Sequence, residues 1–526
     1  MLLPQNIMLT RLKVSGFKNL IDVDIRFSPF TCIAGANGVG KSNLFDAIQF
    51  LSALSNNSLI EAARSIRDEG GKSSDVRSLF HRVGNEYDTE MSFEAEMIIS
   101  SHGTDDLGQE AKASSTILRY ILIIAYRPEQ NPLKPLGTLE IIKEELTRLN
   151  KSELPNNLIF DYSKQWIDSL FVTRRRGEFI STEGEKNDED RKIKVHQDSG
   201  SSGRKEGGSV GKTRRFLART LPRTVLSESN AVESPTALLA KREMQSWRIL
   251  QLEPSSLRKP DDFMTDTVLG MDGSHLPSTL YRLAMLSDIE NLNDRESSDD
   301  SGQQVYTQVA NTLSELIHDV RSVSIDRDEK RQLLTLMVQG RDGTSHPARS
   351  LSDGTLRFLA LAVLNLDHET QGLLCLEEPE NGIHPERIPA ILKLLQSIAT
   401  DVNEQVDVDN PLRQVIINTH SPAVVLQVPD DSLVIAELKE IVNNHKRYRG
   451  VRFSCLNGTW RTKDDAVNIV AKGRLLGYLN PVASNEEIDI YGNGNSQSKS
   501  KKKSRVVDRP DIQPYITGLM EDILKS

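Results

Sequence analysis

The chain has 526 residues, a net charge of -9, a pI of about 5.7 and a mean hydropathy of -0.40. That length holds about three domains' worth of core-forming material, and the acidic balance excludes a global electrostatic pull toward nucleic acid while leaving room for a local basic groove. The three cysteines, Cys32, Cys375 and Cys455, have neither paired nor metal-ligand spacing, which predicts buried thiols in a reducing cytoplasm rather than a disulfide scaffold; no apolar run reaches the length of a membrane span, and Met1 opens no secretory signal.

Residues 8–14 alternate apolar and polar and predict a strand. A turn at 16–20 and a second alternating run at 21–27 make a hairpin-like pair. The apolar run 30–34 is a third strand. It feeds directly into Gly35 to Ser42, which fit G-x-x-x-x-G-K-S without a mismatch. After it, Leu44, Phe45, Ile48 and Leu51 share one face of a helix. Strand, tight loop and helix are the context that a phosphate-cradling loop requires. The glycines let the backbone bend and approach an anion, and a side chain at Gly38 or Gly40 would block that approach. Loop amides and the positive end of the helix then face the phosphates. In that geometry Lys41 reaches the β- and γ-phosphates and Ser42 offers its hydroxyl to magnesium. Two strands before the loop, rather than one, point away from the small GTPase layout. Residues 57–90 read as helix and then loop, 91–99 and 117–126 as strands around an exposed loop at 100–115, and 139–146 as a strand or short helix.

From 177 to 212, Glu, Lys, Asp, Ser and Gly dominate, which predicts a mobile insertion that buries too little surface to offset its ordering entropy. Within it, residues 208–213 imitate a second phosphate loop, but Glu206 holds the required first glycine position and no apolar strand precedes it. Arg174, Arg175, Arg176, Lys212, Arg214 and Arg215 flank the insertion and read as a solvated charged edge. Helical spacing follows at 235–250, 280–292 and 305–320, with a polar break at 294–303; none of these is a long heptad run. A strand pair is expected at 323–325 and 333–338.

Ser350 to Thr355 precede an apolar helix at 356–366, so a serine and a glycine again stand at a helix start. The fully apolar run 372–376 has the character of a central parallel strand and ends in Glu377-Glu378-Pro379-Glu380. Adjacent carboxylates at such a strand end sit where α/β sheets place ligands, and their mutual repulsion calls for a cation. A second buried strand, 415–417, closes on Asn418-Thr419-His420. His420 is therefore a candidate γ-phosphate contact.

In order and spacing these five motifs resemble the ABC-type ATPases of the SMC, RecF and overcoming-lysogenization-defect group, over roughly 7–100 and 300–435. Gly35 to Ser42 match the Walker A loop, Ser352, Asp353 and Gly354 the signature loop, Glu377 and Glu378 Walker B, 381–384 the D-loop and His420 the switch histidine. Lys18 matches a basic residue near the nucleotide. The resemblance implies an α/β fold: an ABC-type P-loop ATPase head, with a mixed sheet and flanking helices. Its expected parts are an N-terminal lobe (1–150), an inserted, mostly helical subdomain (151–300), a C-terminal lobe (301–435) and a C-terminal extension (436–526). ATP and Mg2+ are the implied cofactors. The implied nucleotide contacts are Lys18, Gly35, Asn37, Gly38, Gly40, Lys41, Ser42, Asn43, Ser352, Asp353 and Gly354. Ser42 and Glu377 are the implied metal side, and Glu378 and His420 the catalytic pair. Two departures stand out. Glu377 replaces the usual Asp, and no glutamine marks a Q-loop near 78–82, where His81 stands instead.

The mechanism so implied is head-to-head dimerisation, or a higher oligomer, with each ATP held between Walker A of one copy and Ser352 and Gly354 of the other. Residues 431–526 show no pattern of a fused nuclease. They carry a Gly-Thr-Trp turn at 458–460, a Gly, Ser and Lys linker at 492–504 and an amphipathic helix at 512–524 that is a candidate partner-docking element. The arrangement is similar to stand-alone anti-phage ATPases, the PtuA family of Septu systems and its retron-associated relatives, which work with a separate HNH nuclease. Alternatives are a RecF-like repair ATPase that binds DNA directly and a non-hydrolysing nucleotide-gated scaffold. Nucleic acid is thus a partner in some of these readings and a membrane in none; the expected location is cytoplasmic.

Overall fold

The structure is a computed structural model, and it describes residues 8–66, 75–128, 137–150, 152–173, 177–186, 188, 190–198, 213–293, 301–317, 319–367, 372–407, 409–443, 446–464 and 466–471. Residues 1–479 form one unit and 480–526 a second, and all the described residues belong to the first. Arg174 to Arg176, the imitation loop up to Lys212, the linker at 492–504 and the helix expected at 512–524 lie outside the described residues.

The fold is mixed α/β. Five strands run parallel in the order Arg248–Leu250, Gly372–Glu377, Arg413–Thr419, Phe30–Ala34 and Leu433–Asn443. Lys446–Leu456 then pairs antiparallel to the last of them, and Asn468–Val470 closes the sheet. The apolar runs explain the centre. Leu373, Leu374, Cys375, Val415, Ile416, Ile417, Cys32 and Ile33 are all buried, because a parallel strand is covered on both faces. Burial pushes the Cys32 and Cys375 thiols far above their usual range, so neither is a nucleophile.

Register decides what this sheet can do. Ala34 lies opposite Thr419, Asn418 opposite Glu377, and Leu376 opposite Leu250. The four strands therefore end within two residues of one another, and the residues that follow them (Gly35, His420, Glu378 and Gln251) emerge at one edge.

An eight-stranded antiparallel sheet forms the second layer. Its order is Arg214–Leu217, Lys192–Val195, Ile180–Glu183, Thr138–Arg148, Ile117–Arg127, Glu90–Ile98, Met8–Ser15 and Val23–Arg26. The helix Lys41–Leu54 is buried against one core shared by both sheets, through Leu44, Phe45, Ile48 and Leu51. On the other face, the helices Leu276–Asn293, Ser301–Leu316 and Asp353–Leu366 build a separate core with Leu374, Leu376, Val415 and Ile417. A smaller sheet with strands Val320–Asp328 and Leu333–Gly340 lies beside them, where the strand pair was expected. None of the described helices is long and apolar enough to cross a membrane.

Two expectations are corrected. Part of the stretch expected to be mobile, 177–212, is ordered sheet: Ile180–Glu183 pairs antiparallel with Lys192–Val195. Phe179, Ile180, Ile193 and Val195 are buried. Four apolar residues cannot make a core alone, but they suffice when the strands add to an existing sheet edge and share its core. The helix expected at 235–250 ends at Gln245, and Arg248–Leu250 becomes the strand beside Gly372–Glu377. Within 151–300, then, three strands extend the antiparallel sheet and a fourth joins the parallel one.

The segment 224–226 is held on the antiparallel sheet by a buried carboxylate. Glu144 accepts hydrogen bonds from the backbone N–H of Val225 and Leu226, each at 2.8 Å, and from the Tyr120 hydroxyl at 3.2 Å. Burial nevertheless pushes its carboxyl up to about 7. The folded carboxyl keeps its proton to higher pH than the unfolded one, so its stabilising contribution is complete below the ordinary carboxylate range and is lost as pH rises through about 7. Urea unfolding should show wild type losing on the order of 3 kcal/mol from this group between pH 4.5 and 7. Glu144→Gln should be less stable at pH 5 and should lack that part of the slope; parallel pH profiles for the two chains would refute the assignment.

Candidate functional site

The loop after Phe30–Ala34 is shaped by two close approaches and two left-handed glycines. A Cβ on Gly35 would stand 2.5 Å from the carbonyl oxygen of Ala436, and one on Gly40 would stand 2.2 Å from Asn19 Nδ2. Gly38 and Gly40 have φ of +77° and +105°, a region that glycine enters without steric cost. Asn19 braces the loop from the first hairpin: its Nδ2 donates to the Val39 carbonyl at 3.1 Å, and its Oδ1 accepts from Asn43 Nδ2 at 2.8 Å. Lys41 is folded back, with Nζ donating to the carbonyls of Gly35 at 2.7 Å and Ala36 at 2.9 Å. Burial pulls its ammonium below the usual lysine range, against the opposing pull of Glu378, Glu380 and Glu377. A cation held in a tight anion-shaped loop, with Glu377 and Glu378 across the cleft, suits a polyanion that enters together with a divalent cation.

Across the cleft, Glu378 follows the strand Gly372–Glu377 with φ of +47°. For a residue with a Cβ that costs about 1–2 kcal/mol, and the surroundings enforce it. Its N–H donates to Asn418 O at 3.0 Å, its Oε1 meets His420 Nδ1 at 2.5 Å, and its Oε2 accepts from Asn381 Nδ2 at 2.8 Å. The strained backbone aims this one carboxylate, and three neighbours fix it.

A cleft of about 1060 Å³ joins the two sides. It brings together Lys18, Asn37, Gly38, Gly40, Lys41, Ser42, Asn43, Glu377 and Glu378. Gly35 lies beneath the loop rather than on the cleft wall, and His420 reaches the site through its bond to Glu378. Lys18 has φ of +48° and spends its ammonium on Asp46 Oδ2 at 2.8 Å; it lines the cleft as half of an ion pair.

Ser352, Asp353 and Gly354 are not part of the cleft wall. Ser352 caps the helix Asp353–Leu366 by accepting from Thr355 N at 3.2 Å. Asp353 is ion-paired with Arg258. Gly354 is required by close approach, since a Cβ there would stand 2.4 Å from the Gly382 carbonyl. The turn at 352–354 thus abuts the turn at 381–384, whose first residue, Asn381, lines the cleft while Ser352, Asp353 and Gly354 do not.

Three residues of the site were not singled out from sequence. Gln251 enters the cleft one residue beyond the Leu250–Leu376 register pair; at 78–82, His81 lines the same cleft and pairs with Asp88 at 3.1 Å. Arg357 lines the cleft and ties two of its loops together, donating to Leu252 O at 3.1 Å and Asn381 O at 2.6 Å. Its signal was an arginine in an otherwise apolar helix. The third is Glu380, buried behind the acidic pair. Among the described residues no cluster of three or more His, Cys, Asp or Glu side chains forms a metal centre. A magnesium ion here would use Ser42, Glu377, phosphate oxygens and water, which suits an ion that keeps much of its hydration.

Known proteins place the chain. The family model described as "AAA domain, putative AbiEii toxin, Type IV TA system" matches residues 143–426, and a second, described as "AAA domain", matches 11–234. The DNA replication and repair protein RecF of Clavibacter sepedonicus is 27% identical over 173 residues, 32% of this chain and 41% of that protein. RecF of Phocaeicola vulgatus is 38% identical over 63 residues, 12% and 17% of the two chains. The chain thus spans less than half the length of these curated relatives. Among solved structures, an Smc head domain from Pyrococcus furiosus, bound to the C-terminal domain of ScpA, aligns at 12% identity over 85% of this chain and 96% of that one, with a TM-score of 0.40. The Smc head from Thermotoga maritima aligns at 11% identity over 84% and 97%, with a TM-score of 0.33. Since the first family model spans more than half of the 526 residues, the chain belongs to the AAA-domain family of ATPases.

Proposed function

We propose that this chain binds ATP with Mg2+, hydrolyses it at the cleft between Lys41 and Glu378, and uses the nucleotide state to control a separate effector. The observation that carries the reading is the convergence of the phosphate loop and the Glu378–His420 pair on one cleft. On binding, Lys41 exchanges the Gly35 and Ala36 carbonyls for phosphate oxygens. Glu378, oriented by His420 and Asn381, takes the proton of the attacking water, and Gln251, level with Glu377, orients water on the metal side. The magnesium ion supplies charge neutralisation to the phosphates. Most of the acceleration then comes from positioning and preorganised charge.

Glu377 sits at the end of its strand with a side chain one methylene longer than the usual Asp, which suits contact through a metal-bound water. Replacing it with Gln should raise the magnesium concentration needed for half-maximal turnover about 10-fold or more. A magnesium titration of ATP turnover measures this, and an unchanged midpoint would remove Glu377 from the metal side.

Because Ser352, Asp353 and Gly354 stand apart from the cleft of their own chain, the complete site is proposed to form between two copies, head to head. The effector is proposed to be a separate HNH-type nuclease in anti-phage defence. The support is the order of the motifs, together with the strands Leu433–Asn443, Lys446–Leu456 and Asn468–Val470, which complete the nucleotide-binding sheet rather than a body of their own. Co-expression with an HNH protein encoded beside this chain tests it, and DNA cleavage that is indifferent to Lys41→Ala would count against it. Tight, strongly salt-dependent DNA binding by the chain alone would favour the RecF-like reading.

A further inference from the structure

Glu380 has no role in the mechanism above, yet its surroundings are unusual. The residue is 7% exposed. Its Oε2 is buried and meets no hydrogen-bond partner among the described residues, and its Oε1 accepts a hydrogen bond from the Thr419 hydroxyl. Leaving one carboxylate oxygen unmatched in a buried place is costly. Burial pushes this carboxyl above the usual range; Glu378 pushes the same way, while Thr419 and His420 pull it back.

The connections run in one direction. Thr419 Oγ1 gives its proton to Glu380 and accepts from the Ser421 N–H at 2.9 Å. Those two bonds bracket His420 on both sides along the chain. On its own segment, the Glu380 carbonyl accepts from Ile383 N at 3.0 Å, and Asn381 N donates to Glu378 O at 3.0 Å. Glu380 therefore sits in the turn after Glu378, and its side chain reaches across to the turn that carries His420. The imidazole itself is 40% exposed, so packing alone does not fix it.

We propose that Glu380 is a positioning residue for hydrolysis, holding the Thr419–Ser421 turn so that His420 Nδ1 stays on Glu378 Oε1. This rests on the ATPase reading above. The link needs an acceptor at Oε1, and nothing in it requires a negative charge. Glu380 touches neither the cleft wall nor the reacting atoms.

The test is steady-state ATP hydrolysis and nucleotide binding by the full chain. Glu380→Ala should lower kcat ~10- to 100-fold, the scale of a misplaced catalytic pair, with ATP affinity unchanged. Glu380→Gln keeps a carbonyl acceptor for Thr419 and should restore most of kcat. Because the residue acts through His420, the double variant His420→Ala with Glu380→Ala should be no slower than His420→Ala alone. Should Glu380→Ala fail to fold, Thr419→Val cuts the same link from the other side and should give the same loss in kcat. Additive losses in the double variant, a loss in ATP affinity instead of kcat, or wild-type kcat in the Ala or Val variant would overturn the proposal. A wild-type chain that binds no ATP would overturn the ATPase reading and this inference with it. A wild-type chain that hydrolyses ATP and is indifferent to these changes overturns this inference alone.

Discussion

Glu378→Gln should bind ATP normally and hydrolyse it at least ~100-fold more slowly, the usual scale for removing a positioned base. The substitution keeps the side-chain shape and one acceptor oxygen, for either Asn381 or the imidazole, and removes the capacity to take a proton. Its backbone stays in the strained conformation, because the bond to Asn418 O involves only the main-chain N–H of residue 378. Phosphate release under single-turnover conditions separates this from slow product release. Normal turnover in this variant, paired with a dead Glu377→Gln that keeps its magnesium dependence, would show that the two carboxylates carry the opposite roles. Tight ATP binding with no turnover even in wild type would favour the non-hydrolysing scaffold.

Lys41→Ala should abolish ATP binding at concentrations where wild type is saturated. The loss is large because Lys41 is the cation buried within the loop itself. Lys18, which also lines the cleft, is engaged by the buried Asp46, and Arg357 by the carbonyls of Leu252 and Asn381. The two carbonyls that Lys41 satisfies, Gly35 and Ala36, are left facing the phosphates in the variant and repel them. Stability should change little, since the lost pairings are to carbonyls that water reaches once the side chain is gone. A nucleotide titration with unchanged affinity would sink the phosphate-loop reading.

How much of this was legible follows from how local each signal is. The phosphate loop is contiguous; Gly40 and Gly35 are dictated by approaches of 2.2 and 2.5 Å, and Gly38 by a φ of +77°. The central strands are apolar throughout because both faces are covered. Other parts depend on what lies next to them in space. Gln251 follows a strand of three residues, too short for any periodicity, and only pairing with Leu374 to Leu376 makes it a strand. Ile180 and Ile193 sit in a polar stretch whose average composition hides them, and they become core by joining an edge. Arg357 reads as a charged face until the carbonyls of Leu252 and Asn381 are seen to meet it. The role of Glu380 depends on a threonine 39 positions away.

The central claim is a site completed by a second copy of the chain, and complementation of two inactive variants tests it most directly. Lys41→Ala keeps Ser352 and lacks a phosphate loop; Ser352→Arg keeps the phosphate loop and places a bulky side chain on the exposed cap that would meet the partner's nucleotide. Each should be inactive alone. Co-expressed and co-purified, they should regain ATP turnover, because a mixed dimer holds one site with both an intact Lys41 and an intact Ser352. Ser352→Arg with wild-type turnover on its own, or a mixed preparation as inactive as its parts, would contradict the two-copy site.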